Sequence, residues 1–197
     1  MSATNTSFYA SGIASFLSGA VDWTSDDVYL ALVQASYSPN LAADSAWAPV
    51  SECEAVGAGY TPGGAQLAST SINVVSVGGN WLASTAFAEN QVVQAGSGLA
   101  VCVVTGTTGS VVPKWPTAQG VTVQDGTVTW AYLGKWGIAL SSSAVSWNPL
   151  TVTNVRYGVI YSGERLLALI DMGSAFTLDG PWGLQPDPVT GWLFYSG

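Results

Sequence analysis

From Thr6 to Ser18 the chain places Tyr9, Ile13, Phe16 and Leu17 at i, i+4, i+7 and i+8, which puts them on one face of a helix. Gly12 weakens that helix, so it is expected to be short and to need docking, with Gly19 as its stop. In VYLALVQ, Val28, Leu30 and Leu32 alternate with Tyr29, Ala31 and Val33, so both faces are apolar and the run predicts a buried strand. Residues 36–68 carry Pro39, Asn40, Pro49, Gly57, Gly59, Pro62, Gly63 and Gly64 and read as one long loop. A loop of that length inside a compact domain usually has a task. Its Tyr37, Trp47 and Tyr60 need cover from the domain or from a partner, and they are the candidates for a subunit or capsid interface.

Further strands are expected at 72–77, broken by Gly78-Gly79, and at Leu99–Thr105 and Thr127–Tyr132. The clearest hairpin signal joins Val152–Tyr161 to Arg165–Met172 across Ser162-Gly163-Glu164. Phe176–Leu178 and Gly191–Tyr195 add short strands, and the PWGLQPDP between them suits neither a helix nor a central strand. The fold class is therefore mainly β: a β-sandwich or jelly-roll-like host domain with one short N-terminal helix. The segment 81–136 has its own turn grammar, with GTTG at 106–109, KWP at 114–116 and QDGTVTW at 124–130. It reads as a small β-module inserted into a host made of 1–80 and 137–197.

Composition narrows the function. Only 8% of the 197 residues are charged, against about 25% in ordinary soluble domains. Nine Trp, eight Tyr and 23 Gly fill the difference, which suggests surfaces that pack against other chains. A homo-oligomer is expected, with a trimer favoured. Net charge is −8, and Lys114, Lys135, Arg156 and Arg165 are the only basic residues, too few and too scattered to neutralise a nucleic-acid backbone. No apolar run reaches the ~18 residues of a membrane span, and MSATNTSFYASG lacks the basic start of a signal peptide. Cys102, within LAVCVV, reads as a buried free thiol, and with Cys53 it makes no disulfide framework.

Candidate chemistry is sparse. The chain has no His, which excludes Ser-His-Asp and Cys-His mechanisms, and two Cys cannot build a common zinc site. Gly96-Ser97-Gly98 lacks the strand–turn–helix context of a nucleophile elbow, and GTTG lacks the Lys of a phosphate-binding loop. The carboxylate pairs Asp26/Asp27 and Glu52/Glu54 read as a solvated turn and polar loop groups, since nothing holds either across a cleft. Asp22, Asp26 and Asp27 lack the spacing of a calcium loop. No catalytic residue, metal or cofactor is expected. Trp81, Trp115, Trp130, Tyr132 and Trp136 could stack on sugar rings, but a module this small has little else to serve as its core. Of these, Trp115 between Lys114 and Pro116 is expected to be the most exposed.

Three stretches carry a resemblance: DWTSDDVYLALVQASYSPN, then WAPVSECEAVGAGYTPGGAQL at 47–67, then VRYGVIY…LLALIDMG at 155–173. Together the host halves resemble a family of small structural proteins of tailed bacteriophages. The insert, with its Trp, apolar–Gly strand, GTTG, Pro-flanked Trp and DGTVTW, resembles a short module of phage tail fibres. The resemblance implies a non-enzymatic virion structural protein, first a capsid decoration or cement protein at the virion surface, partnered by the major capsid protein or other virion proteins. A head- or tail-fibre component that binds host-surface glycan through Trp115, Trp81, Trp130 and Tyr132 is the alternative. A tail or connector component is the third. The family supplies no catalytic residues to carry over.

Overall fold

The structure is a computed structural model that describes residues 6–75, 78–187 and 191–196. The chain is mainly β, with 52% of residues in strands and 7% in helices. In chain order it forms β1 (Thr6–Phe8), α1 (Ala10–Leu17), β2 (Val28–Gln34), α2 (Trp47–Ser51), β3 (Gly57–Ala58) and β4 (Ala65–Gln66). Next come β5 (Ser71–Val75), β6 (Ala86–Phe87), β7 (Val92–Ala95), β8 (Gly98–Val104), β9 (Gly106–Thr107), β10 (Thr122–Asp125) and β11 (Val128–Gly134). The chain closes with β12 (Gly137–Ser141), β13 (Val145–Ser162), β14 (Arg165–Leu184) and β15 (Leu193–Ser196).

Two compact units result. Unit 1 is Met1–Ile72 with Leu140–Asp187, and unit 2 is Asn73–Ala139 with Pro188–Gly197. β5, which leads out of unit 1, and β12, which leads back, are neighbours in the three-stranded sheet β15-β12-β5. The C-terminal strand belongs to that sheet through Gly137↔Ser196, Ile138↔Tyr195 and Ala139↔Phe194, so unit 2 draws on the chain's end as well as on its middle.

Unit 1 is built on one antiparallel sheet, β1-β14-β13-β2-β4, with β3 added to β13. Its apolar side chains fill both faces. Ala31, Val33, Tyr157, Val159, Tyr161 and Leu169 form one buried cluster with Tyr9, Trp47 and Val50. Leu30, Gly158 and Ile170 come together on the other face. Among the described residues, helices and the 36–64 segment lie over this sheet where a sandwich would place a second one.

α1 docks in an unexpected way. Its buried residues are Gly12 and Ser15, while Ile13 is 36% and Leu17 84% exposed. A Cβ at Gly12 would lie 2.4 Å from the Leu167 carbonyl oxygen. The missing side chain therefore brings helix and sheet backbones together; Ile13 and Leu17 turn away, while Phe16 packs edge-on against Phe8 and Trp23. Tyr9, just ahead of the helix, is fully buried as its apolar periodicity requires. The helix stops where expected: with Gly19 at φ +69°, the Ala20 and Gly19 N–H groups reach the Ser15 and Phe16 carbonyls, a Schellman closure.

The β13–β14 hairpin turns at Gly163-Glu164, between the paired Ser162 and Arg165, and it is far longer than its hydrophobic signal. The pairing runs down to Val145↔Leu184, past Trp147↔Trp182. Pro181 is tolerated because the register shifts between Trp147 and Leu150, and no strand among the described residues pairs with β14 on its outer side beyond Ile170. The 36–68 segment is likewise not plain loop, since it contains α2, β3 and β4.

In unit 2 the principal sheet is β10-β11-β8-β7, beside the two-stranded β6-β9. β8 is buried on both faces: Ala100 and Cys102 point into a cluster with Val93, Val128, Trp130 and Tyr132, whereas Leu99 and Val101 meet Leu133 on the other side. Cys53 and Cys102 are free thiols, and burial pushes the Cys102 thiol pKa up.

Candidate functional site

The β10–β11 hairpin pairs Asp125 with Val128 across a two-residue turn and places Trp130 opposite Cys102 of β8. Trp130 is fully buried there. Phe87 and Trp115 meet it edge-on, with ring centroids 5.0 and 6.0 Å away and both planes tilted by 70°. At 4% exposure Asp125 is buried too, and it is saturated with donors. The Trp81 and Trp130 indole N–H groups donate to its Oδ2 at 2.7 and 3.0 Å, and the Gly109 N–H donates to its Oδ1 at 2.8 Å. One carboxylate thus ties the Trp81 entry, the GTTG turn and the DGTVTW hairpin together.

This geometry sorts the aromatic candidates. Trp130 and Tyr132, at 0% and 8% exposure, are core and offer no face to a ligand. Trp81 and Trp115 are half-buried and pack against the same cluster. Trp136, at 40% exposure, is the most exposed of the five, not Trp115 as its place between Lys114 and Pro116 suggests, because Trp115 packs edge-on against Trp130.

The three aromatics of the 36–68 segment are turned toward their own unit. Trp47 and Tyr60 are each 8% exposed. Trp47 stacks on Tyr161 at 4.2 Å and 8°, and Tyr60 lies 6.1 Å from Trp147. Tyr37 packs on the same cluster as Trp47 and meets Tyr157 edge-on at 5.9 Å. Anchoring the segment to the sheet leaves these side chains little surface for a neighbouring subunit.

Carboxylates complete those anchors. Tyr37 donates to Asp44 Oδ2 at 2.6 Å, and its hydroxyl lies 3.0 Å from that of Tyr9. Tyr60 donates to Glu54 Oε1 at 2.7 Å and accepts from the Leu32 N–H at 2.9 Å, while the Gly63 N–H also reaches Glu54. Burial raises the pKa of Tyr9 and of Tyr161 to about 12. Tyr37 and Tyr60 are pushed higher still, by burial first and by donation to Asp44 and Glu54 second.

The acidic pairs are split in the same way. Glu54 is bound as described, while Glu52 is exposed. The Asp26 carboxylate accepts from the Asp22 N–H, and Asp27 accepts from Gln66. Asp22 accepts from the Thr24 N–H and hydroxyl, which holds its pKa below the usual carboxylate value. No cluster of metal-ligating side chains occurs among the described residues.

An open groove of about 850 Å3 runs beside α1, lined in part by Ser11, Ser15, Ser162 and Arg165. Its serines already donate to backbone carbonyls: Ser11 to Asp44, Ser15 to Ser11, Ser162 to Asp27. They brace the helix and hairpin.

Sequence reasoning missed Asp125 and Asp44 as organising groups. The signal for Asp125 was the DG turn five residues ahead of Trp130 on the paired strand, since an acid at the mouth of a turn in an aromatic core has indole N–H groups to satisfy. No known family model, curated protein or solved structure matches the chain.

Proposed function

We propose that this chain is a non-enzymatic structural protein of a tailed-phage virion, first of all a decoration or cement protein of the capsid. The observation that carries the reading is how Asp44, Glu54 and Asp125 are used. Each is bound by tyrosine or tryptophan donors and by backbone N–H groups. Groups that could transfer protons are instead spent on fixing loops to β-sheets, which suits a rigid binding protein. The likeness of residues 47–67 and 155–173 to phage structural proteins, and of the insert to fibre modules, supports the virion as the setting. The test is copy number in purified particles by quantitative mass spectrometry. A decoration protein is expected at hundreds of copies and a fibre or connector at a few to tens. Absence from the particle contradicts the reading.

A second reading, host-surface glycan binding by unit 2, is favoured by the half-buried Trp115 and Trp81 beside exposed Lys114. One aromatic stack contributes roughly 1 kcal/mol beyond burial, so many copies on one particle would be needed to hold a cell. Trp115→Ala should then abolish particle binding to cells with little change in melting temperature. Unchanged binding with a lower melting temperature would make Trp115 a core residue only.

A further inference from the structure

Both lysines of this chain stand directly before a tryptophan: Lys114 before Trp115 and Lys135 before Trp136. With nine Trp among 197 residues, such a neighbour is rare by chance. Both lysines are exposed. Among the described residues no ion pair or hydrogen bond holds either side chain. Arg156 of unit 1 also precedes an aromatic residue, Tyr157, but its guanidinium is spent on Asp171. The rings beside the lysines keep some surface: Trp136 is 40% exposed, and Trp115 is half-buried on Trp130. Pro113 and Pro116 restrict the backbone on either side of Lys114-Trp115.

Charge is divided unevenly between the units. The acidic residues of unit 2 are Glu89 and Asp125. Asp125 is 4% exposed, and N–H donors occupy both of its oxygens. Unit 2 therefore offers solvent one carboxylate, Glu89, against two ammonium groups, while the net −8 of the chain belongs to unit 1. We propose that unit 2 binds an anionic polysaccharide, with the Trp115 and Trp136 rings stacked on sugar and the Lys114 and Lys135 ammonium groups paired with its carboxylates or phosphates. A ring alone stacks on any pyranose. A lysine beside it, a point charge with no partner in the protein, adds a preference for a charged one. The two Lys-Trp pairs need not share a face, since a polymer of repeating charge meets each separately and many copies add their contacts by avidity. The proposal rests on the glycan reading of unit 2 and adds the charge of the ligand.

The experiment is retention of polysaccharides on beads that carry the full chain at high density, at low and high salt. Dextran is the neutral probe, polygalacturonate the carboxylate-bearing one, and a poly(glycerol phosphate) teichoic acid the phosphate-bearing one. At least one anionic polymer is expected to bind at least about tenfold more tightly than dextran, against the chain's net charge of −8, and to weaken in high salt. Which of the two binds identifies the anionic group. Lys114→Gln/Lys135→Gln should lose that margin with an unchanged melting temperature, and Lys114→Arg/Lys135→Arg should keep it. Arg165→Gln, which removes an exposed cation of unit 1, should leave it intact. Dextran held as tightly as both anionic polymers overturns the proposal and leaves the glycan reading standing. Anionic binding that survives the loss of both lysines, or that falls equally with Arg165→Gln, overturns it as well. Retention of none of the three polymers also overturns it, and the glycan reading is then decided by the Trp115→Ala test on particles.

Discussion

Trp81 and Trp130 donate their indole N–H groups to the same oxygen of Asp125. They lie 49 positions apart in the chain, and the shared acceptor makes the start of the inserted segment and its last hairpin one object. The Gly109 N–H on the other oxygen adds the turn between them.

Asp125→Ala should therefore cost unit 2 about 3 kcal/mol or more, since three donors at a buried site lose their acceptor. Asp125→Asn retains one acceptor oxygen and should fall between. Tryptophan fluorescence during urea unfolding reads the change. Equal stability of all three proteins would show that water satisfies these donors and that the carboxylate is dispensable.

Gly12→Ala should destabilise unit 1 by about 2 kcal/mol or more, because a Cβ there meets the Leu167 backbone and helix and sheet must separate. Leu17→Ala, at an 84% exposed position, should stay within about 0.5 kcal/mol of the native chain. Chemical denaturation followed by circular dichroism compares the two.

The helix shows where the sequence was legible and where it was not. Periodicity located it, and Gly19 marked its end. The same periodicity held for Tyr9 and Phe16 and failed for Ile13 and Leu17, because it assumes that bulk seeks the core, and here the helix meets the sheet through the close backbone approach at Gly12. β2 was legible to the residue because both of its faces are apolar. The outer half of the β13–β14 hairpin was hidden by Pro149 and Pro181, which an edge position with shifted register accommodates. The site was harder still. Tyr37, Trp47 and Tyr60 were recognisable as groups needing cover, but composition does not reveal that Asp44 and Glu54 wait in the same segment to bind two of them. Long-range partners such as Trp81 and Asp125 leave no periodic trace.

High pH should unfold unit 1. Tyr9 and Tyr161 have pKa values raised to about 12, and Tyr37 and Tyr60 lie higher. A pKa raised above the unfolded value of about 10 means that the folded state favours the neutral phenol. That stability is fully present below about pH 10 and is lost as pH rises through the folded values. Absorbance at the phenolate band and circular dichroism should change together above pH 10. Titration of these tyrosines near pH 10 with the fold intact would show that their hydroxyls are not held. The Asp171 pKa is depressed by the Arg156 guanidinium, so its contribution runs the other way and is lost as pH falls, but both side chains are more than a third exposed and salt should screen the pair.

Unit 1 should fold by itself. Joining Ile72 to Leu140 with a short Gly/Ser linker, and ending the chain at Asp187, removes unit 2 including its C-terminal strand. β5 and β12 are sheet neighbours, so the ends to be joined are close and closing the loop costs little. One cooperative thermal transition is expected. A broad, non-cooperative melt would mean that unit 1 depends on its insert.

The claim that this is a virion surface protein is tested most directly by a cryo-electron microscopy map of the particle from which it comes. The account predicts density for both β units at regularly repeated sites on the outer capsid surface, at hundreds of copies. A map in which no surface density fits either unit would contradict it.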